Sequence, residues 1–377
     1  MTQSSTSSHA AAAALVECLR GELSPERERE AMDAFLLENA QRYDFSDMPA
    51  QEDFVEIFRL LIKQRFLPDT SRQQPRDCQL RVLQCMRVLM RDPAHRMLFS
   101  ELGGAQVLVR LFVELTDEHS SQPHTDFASG MLVETLSIMK RFASLEELAP
   151  LSRTAAAAST SAAEPTDDMR LQRALVALLS TREVLVLQCV LVAMHQFVQL
   201  DSHLQAIGQL GCAEMLLRIL TDYEPTFKAH AAELIELLLS ERTFLLDVVL
   251  HDGTAAILSA LPSDDPNVQL PLLRTLERMI GHGECGKEIR QIGGINVLIN
   301  VLSAPNLAPR VAIAICSVLT AIALDDEGAL QIRKANGVYQ LGHVLLQCAP
   351  PEAANIGAPT TAGSGRAAAV SCASADA

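Results

Sequence analysis

The first residues that could support chemistry form a glycine-rich hexapeptide, GHGECG at 281–286, which matches the pattern G-x-G-x-x-G. Such loops bind phosphate when a strand comes before them, because their backbone N–H groups then converge on the anion. Here the preceding segment, 272–280, has the apolar spacing of a helix. We therefore interpret the hexapeptide as the end of one helix and the connection to the next, with no cofactor bound.

Two other combinations of side chains have the types that metal binding or acid–base catalysis needs. His282 and Cys285 are separated by two residues, but a structural zinc site has four ligands and no second pair occurs at a suitable spacing. His195 together with Glu233 or Glu236 could exchange a proton with a substrate. No nucleophile or pocket motif accompanies them. We interpret these side chains as contacts to a partner, and the sequence predicts neither metal ligands nor catalytic residues.

Motifs of the large enzyme classes are absent from the sequence. It contains no G-x-S-x-G, Walker A or H-E-x-x-H motif and no HRD, DFG or VAIK segment of a protein kinase. The sequence accordingly predicts a protein that is not an enzyme and that needs no cofactor.

Glycine-centred breaks recur along the chain, and apolar residues at helical spacing follow each of them at once. They are LGGAQVLVRLF at 102–112, LGCAEMLLRIL at 210–220, DGTAAIL at 252–258, QIGGINVLINVL at 291–302 and NGVYQL at 336–341. The second position of the break lies at Gly104, Cys212, Gly253, Gly294 and Gly337, and the last three intervals are 41, 41 and 43 residues. Glycine fits a chain reversal because it tolerates positive φ. A unit this small cannot bury its own apolar face, so neighbouring units must stack into one core.

This period and the glycine breaks resemble the armadillo repeat. The resemblance covers roughly residues 75–345. It implies an all-α fold, an armadillo-type right-handed α-solenoid of the ARM/HEAT superhelix class, in which each unit has three helices and the third helices line a concave groove. The candidate third helices lie at 75–90, 181–200, 225–239, 267–280 and 308–324.

The groove is where the resemblance places a protein partner. Importin-type and catenin-type armadillo proteins carry one asparagine per third helix there, and the corresponding positions here are Val88, Gln196, Glu236, Arg278 and Ala321. Because that asparagine ladder is missing, the groove is not expected to clamp a peptide backbone in the same way, and a helix or a folded partner is the alternative. The candidate binding residues are Gln188, His195, Gln196, Glu233, Glu236, Arg274, Glu277 and Arg278.

Composition divides the chain into repeats and connecting segments. A run of serine, alanine and threonine within 150–168 is of low complexity and is interpreted as an inserted loop. The predicted organisation is a disordered N-terminus at 1–10, a helical N-terminal cap at 11–70, repeats at 71–149, the loop at 150–168, repeats at 169–349 and a disordered tail at 350–377.

Charge and cysteine content limit the partners and the compartment. The formal net charge is −15, which opposes binding to nucleic acid, and no apolar segment reaches the roughly 18–20 residues of a membrane span. Nine cysteines without a CxxC pair indicate reduced thiols inside the cell. We therefore expect a cytoplasmic protein, with the nucleus and the cilium left open, that binds protein partners of unknown identity.

The last unit reads as ending after its second helix. Leu341, Val344 and Leu345 of that helix, with Val318, Ile322 and Leu324 of the third helix before it, are then expected to form an exposed apolar edge. Such an edge predicts self-association or pairing with a domain that this chain lacks.

A second resemblance concerns 54–99, which contains LIKQRF at 61–66, CQLR at 78–81 and RVLMRD at 87–92. This segment is similar to the armadillo region before the catalytic domain in the armadillo-bearing member of the NIMA-related kinases. Two functions remain open. The first is an intracellular armadillo scaffold that binds protein partners on its third helices. The second is the regulatory armadillo region of a multidomain signalling serine/threonine kinase, here without the kinase domain.

Overall fold

The computed structural model describes residues 14–17, 20, 24–45, 51–60, 76–121, 126–142, 169–281 and 285–348. The regular elements in these ranges are α-helices, so the predicted fold class is confirmed. The segments predicted as disordered termini, 1–10 and 350–377, and the predicted loop at 150–168 lie outside the described residues. In chain order the helices are α1 (Pro25–Glu38), α2 (Gln51–Leu60), α3 (Arg76–Leu89), α4 (Pro93–Glu101), α5 (Gly104–Ser121), α6 (Asp126–Phe142), α7 (Arg170–Leu178), α8 (Val184–Phe197), α9 (Asp201–Gly208), α10 (Ala213–Asp222), α11 (Pro225–Leu238), α12 (Arg242–Leu250), α13 (Gly253–Ala260), α14 (Pro266–Gly281), α15 (Cys285–Gln291), α16 (Gly294–Leu302), α17 (Pro309–Ala323), α18 (Asp326–Lys334) and α19 (Gly337–Cys348).

Seven of the described helices stack side by side in one row. The row runs α1, α3, α6, α8, α11, α14, α17, and each member packs against the next. Five of them occupy the segments predicted as third helices. The other two are α1, at the start of the row, and α6, between α3 and α8. We call these seven the third helices. The remaining helices pack behind the row, and the apolar residues between the layers form one continuous core.

Five of the described second helices, α5, α10, α13, α16 and α19, begin at a glycine break, and the left-handed residue of the break lies one position before the recurring marker. Positive φ occurs at Gly103 (83°), Gly211 (68°) and Gly293 (78°), and also at Asp252 (53°) and Asn336 (64°). The marker glycines themselves have no positive φ. The residue before the marker therefore makes the chain reversal, and not the marker itself as expected.

The marker glycine is needed for close packing instead. A Cβ added to Gly294 would lie 2.7 Å from Ile289 Cγ2 and 3.0 Å from the Ile289 carbonyl oxygen, and one on Gly337 would lie 2.7 Å from Ile332 Cγ2. The neighbour is in each case the residue five positions earlier, in the first helix of the unit. The same relation joins Gly104 to Phe99. Gly253 stands in the same relation to Val248. In the unit that contains α10, Cys212 replaces the glycine, and its Sγ lies 3.8 Å from the Ile207 carbonyl oxygen.

Two local devices hold the N-terminal part of the solenoid together. Asp92 caps α4, because its Oδ1 accepts from the Ala94 N–H at 2.8 Å. Its Oδ2 accepts from the Phe45 N–H at 2.9 Å, which ties the segment after α1 to α4. The Phe99 ring packs edge-on against Phe58, with 5.7 Å between ring centroids. These contacts connect α2 to the first complete unit.

The C-terminal edge differs in part from its prediction. Val318 and Ile322 are buried where α18 packs against α17, so the expectation that they are exposed is wrong, whereas Leu324 is exposed as expected. Leu345 is exposed as expected, and Leu346 beside it is exposed as well.

Among the described helices none is by itself long and apolar enough to cross a membrane. One pair, α12 with α13, is long and apolar enough when the two helices are taken together, but it is bent by 80°.

Candidate partner-binding surface on the third helices

Each third helix leaves one stripe of side chains accessible on the side away from the core. On α8 the stripe has the spacing three, four, three that keeps residues on one helix face. The accessible positions are Leu185, Gln188, Val192 and His195 on α8, Thr226, His230, Glu233 and Leu237 on α11, Asn267, Leu270, Arg274 and Glu277 on α14, and Arg310, Ile313, Ser317 and Thr320 on α17. Since the helices are neighbours in the row, the stripes join into one surface, which we call the third-helix surface.

Polar bonds cross this surface from one helix to the next. His195 Nδ1 on α8 lies 3.6 Å from Glu233 Oε2 on α11. Arg274 Nη1 on α14 lies 3.5 Å from Glu236 Oε1 on α11, and Arg278 Nη1 donates to the Glu236 carbonyl oxygen at 2.9 Å. These bonds hold the side chains of three successive helices in a fixed register.

The same kind of link continues in both directions along the row. Ser317 Oγ on α17 donates to Glu277 Oε1 on α14. At the other end, Arg87 Nε on α3 lies 2.6 Å from Glu134 Oε2 on α6, and Arg81 Nε on α3 lies 2.6 Å from Asp33 Oδ1 on α1. Positive and negative groups therefore pair between neighbouring third helices.

Five of the eight predicted binding residues belong to these stripes, and Gln196, Glu236 and Arg278 lie beside them on the same helices. The eight differ in how their polar atoms are used. His195, Glu233, Glu236, Arg274, Glu277 and Arg278 take part in the links between helices. Gln188 is exposed and Gln196 is half-buried, and neither side chain makes a hydrogen bond within the part of the chain that the structure describes. These two amides are available to a partner without breaking an internal bond.

One alignment made from the sequence is wrong. Val88 was expected near the groove, but it is 3% exposed and belongs to the core. The accessible residue of α3 at that point is Arg87, which pairs with Glu134.

The glycine-rich hexapeptide separates two helices. α14 ends at Gly281 and α15 begins at Cys285, while residues 282–284 lie outside the described residues. Burial raises the pKa of the Cys285 thiol to about 11, and the Thr254 hydroxyl lies 3.6 Å from its sulfur. Within the described ranges no group of three or more His, Cys, Asp and Glu side chains is placed to hold a metal ion.

The arrangement of the helices is similar to that of solved structures. A structure concerned with a phosphorylation switch in the interaction between cadherin and β-catenin has a TM-score of 0.62, at 17% identity over 86% of this chain and 55% of that chain. A computationally designed armadillo repeat protein for modular peptide recognition has a TM-score of 0.51, at 13% identity over 68% of this chain and 97% of that chain. The chain has the armadillo fold. The predicted armadillo-type α-solenoid is thereby confirmed.

The sequence comparisons add protein kinases that are similar to part of this armadillo chain. It is 27% identical to mouse serine/threonine-protein kinase Nek10 and 28% identical to human Nek10, over 235 residues or 62% of the chain. The chain spans about a fifth of the length of these relatives, 20% and 19% respectively. The predicted similarity to an armadillo-bearing NIMA-related kinase is confirmed at this level. No protein-family model matches the chain.

Proposed function

We propose that this protein is an armadillo scaffold that binds a protein partner on its third-helix surface and has no catalytic activity of its own. The observation that carries the proposal is the series of polar links between successive third helices. Because these links fix the side chains before a partner arrives, less conformational entropy is lost on binding. Stacked helical units are also suited to binding, since they form extended concave surfaces.

The chemistry of the surface favours a partner that presents side chains rather than a bare backbone. Leu185 and Ile313 are 68% and 70% exposed, and they lie on the same surface as Gln188 and Arg274. An amphipathic helix or a folded domain can contact apolar and polar groups together. Nucleic acid is disfavoured, because Glu233, Glu236 and Glu277 line the surface and the chain has a net charge of −15.

Charge reversal on this surface tests the proposal. Arg274 and Arg278 are exposed, so a variant with Arg274→Glu and Arg278→Glu should fold while it replaces two positive charges on the surface with two negative ones. We expect the affinity for the partner to fall by at least about tenfold, or about 1.4 kcal/mol. The measurement is quantitative mass spectrometry of proteins retained by the wild-type and variant chains, with urea unfolding as the check on folding.

The matched control carries the same charge change away from the surface. Arg218 on α10 and Arg242 on α12 are exposed, and neither belongs to a third helix. The Arg218→Glu, Arg242→Glu variant should retain the partners of the wild type. Equal loss in both double variants would mean that net charge, and not the third-helix surface, governs binding.

A second candidate function is the regulatory region of a NIMA-related kinase. The observation in its favour is the similarity to Nek10 over 235 residues. This function requires a kinase domain in the same reading frame, so sequencing of full-length transcripts decides it. Transcripts in which the frame closes before any kinase motif would leave the independent scaffold.

We further propose that the exposed apolar end of the solenoid mediates self-association. Leu345 and Leu346 on α19 are 71% and 77% exposed, and Val338 and Tyr339 on the same helix are also exposed. Light scattering over a concentration series should show dimers for the wild type, and the Leu345→Glu, Leu346→Glu variant should stay monomeric. A wild-type chain that is monomeric at every concentration would refute the self-association.

A further inference from the structure

Four arginines meet at the C-terminal ends of the third helices α3 and α6. Arg87 lies in the last turn of α3 and Arg141 in the last turn of α6. Arg91 and Arg96 come from the turn after α3 and from α4. We call these four residues the arginine cluster. It stands out in a chain with a net charge of −15.

Backbone contacts fix two members of the cluster in place. Arg91 Nη1 donates to the carbonyl oxygens of Ala40 at 2.7 Å and Arg42 at 3.3 Å, and its guanidinium stacks over the Tyr43 ring. Arg96 Nη1 donates to the carbonyl oxygens of Met90 at 3.0 Å and of Arg91 at 2.9 Å. A guanidinium has five N–H donors, so each of these side chains keeps donors for another acceptor.

Arg141 is the member without an acceptor. Its Nε is buried and makes no hydrogen bond, and its guanidinium forms no ion pair within the described residues. Burial lowers the pKa of Arg141, and so do the neighbouring cations Arg91, Arg96 and Arg87. A partly buried cation among like charges is unfavourable unless an anion joins it.

Two carboxylates near the cluster, Glu134 and Asp92, are already engaged. Glu134 is paired with Arg87 at 2.6 Å, and burial raises the pKa of Glu134 despite that pairing. Both oxygens of Asp92 accept backbone N–H groups, those of Phe45 and Ala94. Arg91, Arg96 and Arg141 form no ion pair with a carboxylate among the described residues.

We propose that the arginine cluster binds a phosphoryl group on a protein segment that lies along the third-helix surface; the carrier of the group rests on the function proposed above. A phosphoryl group has a charge of about −1.5 to −2 at neutral pH and three acceptor oxygens, and it forms bidentate hydrogen bonds with guanidinium groups. Planar arginine forks fit this geometry better than lysine ammonium groups do.

The extent of the cluster indicates one anion rather than a polyanion. On the next third helices the positions that correspond to Arg91 are Gln199, Ser240 and Gly281, none of which is basic. A nucleic acid strand would need cations at regular intervals along the groove. The cluster ends after two third helices, which suits a single phosphorylated side chain.

Inorganic phosphate is the first probe, because it tests the cluster without a partner. Isothermal titration at constant ionic strength should show saturable binding to the wild type. Arg141→Gln should raise the Kd at least about tenfold, and Arg141→Lys should give an intermediate Kd because the charge remains without the fork. Arg218→Gln, on exposed surface of α10, should leave the Kd unchanged within about twofold. Equal Kd values for the wild type and Arg141→Gln would overturn the inference.

Peptides then test the chemical class of the ligand. Three pools of peptides of otherwise random sequence carry phosphoserine, glutamate or serine at a fixed central position. The phosphoserine pool should be retained more strongly than the glutamate pool, and the serine pool should not be retained above background. Equal retention of the phosphoserine and glutamate pools would overturn the assignment to a phosphoryl group. The two proposals can fail separately. If the Arg274→Glu, Arg278→Glu variant retains all partners while phosphate binding still depends on Arg141, the proposed function is contradicted and phosphate binding by the cluster stands.

Discussion

Replacing Gly294 with valine should lower the free energy of unfolding by about 3 kcal/mol, whereas replacing the adjacent Gly293 with asparagine should lower it by less than about 1 kcal/mol. At Gly294 the new Cβ would lie 2.6 Å from Leu258 Cδ1 and 3.0 Å from the Ile289 carbonyl oxygen, and backbone cannot move aside as a flexible side chain can. The extra methyl groups of valine enlarge the overlap.

Gly293 is the matched control because its constraint is of a different kind. It has φ of 78° and nothing within 4 Å of an added Cβ. Asn336 occupies the corresponding position of the next unit with φ of 64°, so the fold already accepts asparagine there. Urea unfolding of the two variants measures the difference. A larger loss for Gly293→Asn than for Gly294→Val would contradict the division of roles between the two residues.

Replacing Phe99 with alanine should cost about 3–5 kcal/mol. Its ring is fully buried and lies against Phe58, Phe142 and Gly104. Because units of a solenoid contact only their neighbours, the damage should stay local. Hydrogen exchange should show lost protection in α2, α4 and α6, and unchanged protection in α16 to α19.

The control for Phe99 comes from the other units. Ile207, Ile289 and Ile332 occupy the same position, five residues before the marker, and are buried there. Phe99→Ile should therefore cost clearly less than Phe99→Ala, since it leaves a smaller cavity. Equal losses would show that the edge-on contact with Phe58, and not the filled volume, provides the stabilisation.

The part of the fold that follows the glycine breaks could be predicted from the sequence. In four of the five breaks a left-handed residue is followed by a glycine that has no room for a side chain, and this pair recurs at a period near 41 residues. The helices α1 and α6 were not recognised as third helices, because no regular marker precedes α1 and the interval after Gly104 is irregular. Packing, which the local sequence does not record, places them in the row.

The candidate surface could be predicted only as a set of residues. Periodicity places Gln188 and Arg274 on the accessible side of their helices. It does not predict that Glu236 accepts from both Arg274 and Arg278, since these contacts depend on the offset between neighbouring helices. The arginine cluster was missed for the same reason, because its members lie on α3, α4 and α6 and in the turn after α3.

Site-specific photocrosslinking tests the central claim, that the third-helix surface is where a protein partner binds. A benzophenone side chain at Gln188 on α8 should crosslink to the partner, and the same group at Glu214, which is exposed on α10, should not. The adduct from position 188 should disappear when Arg274→Glu and Arg278→Glu are introduced as well. Adducts from position 214 with none from position 188 would place the partner on the opposite side of the solenoid and contradict the account.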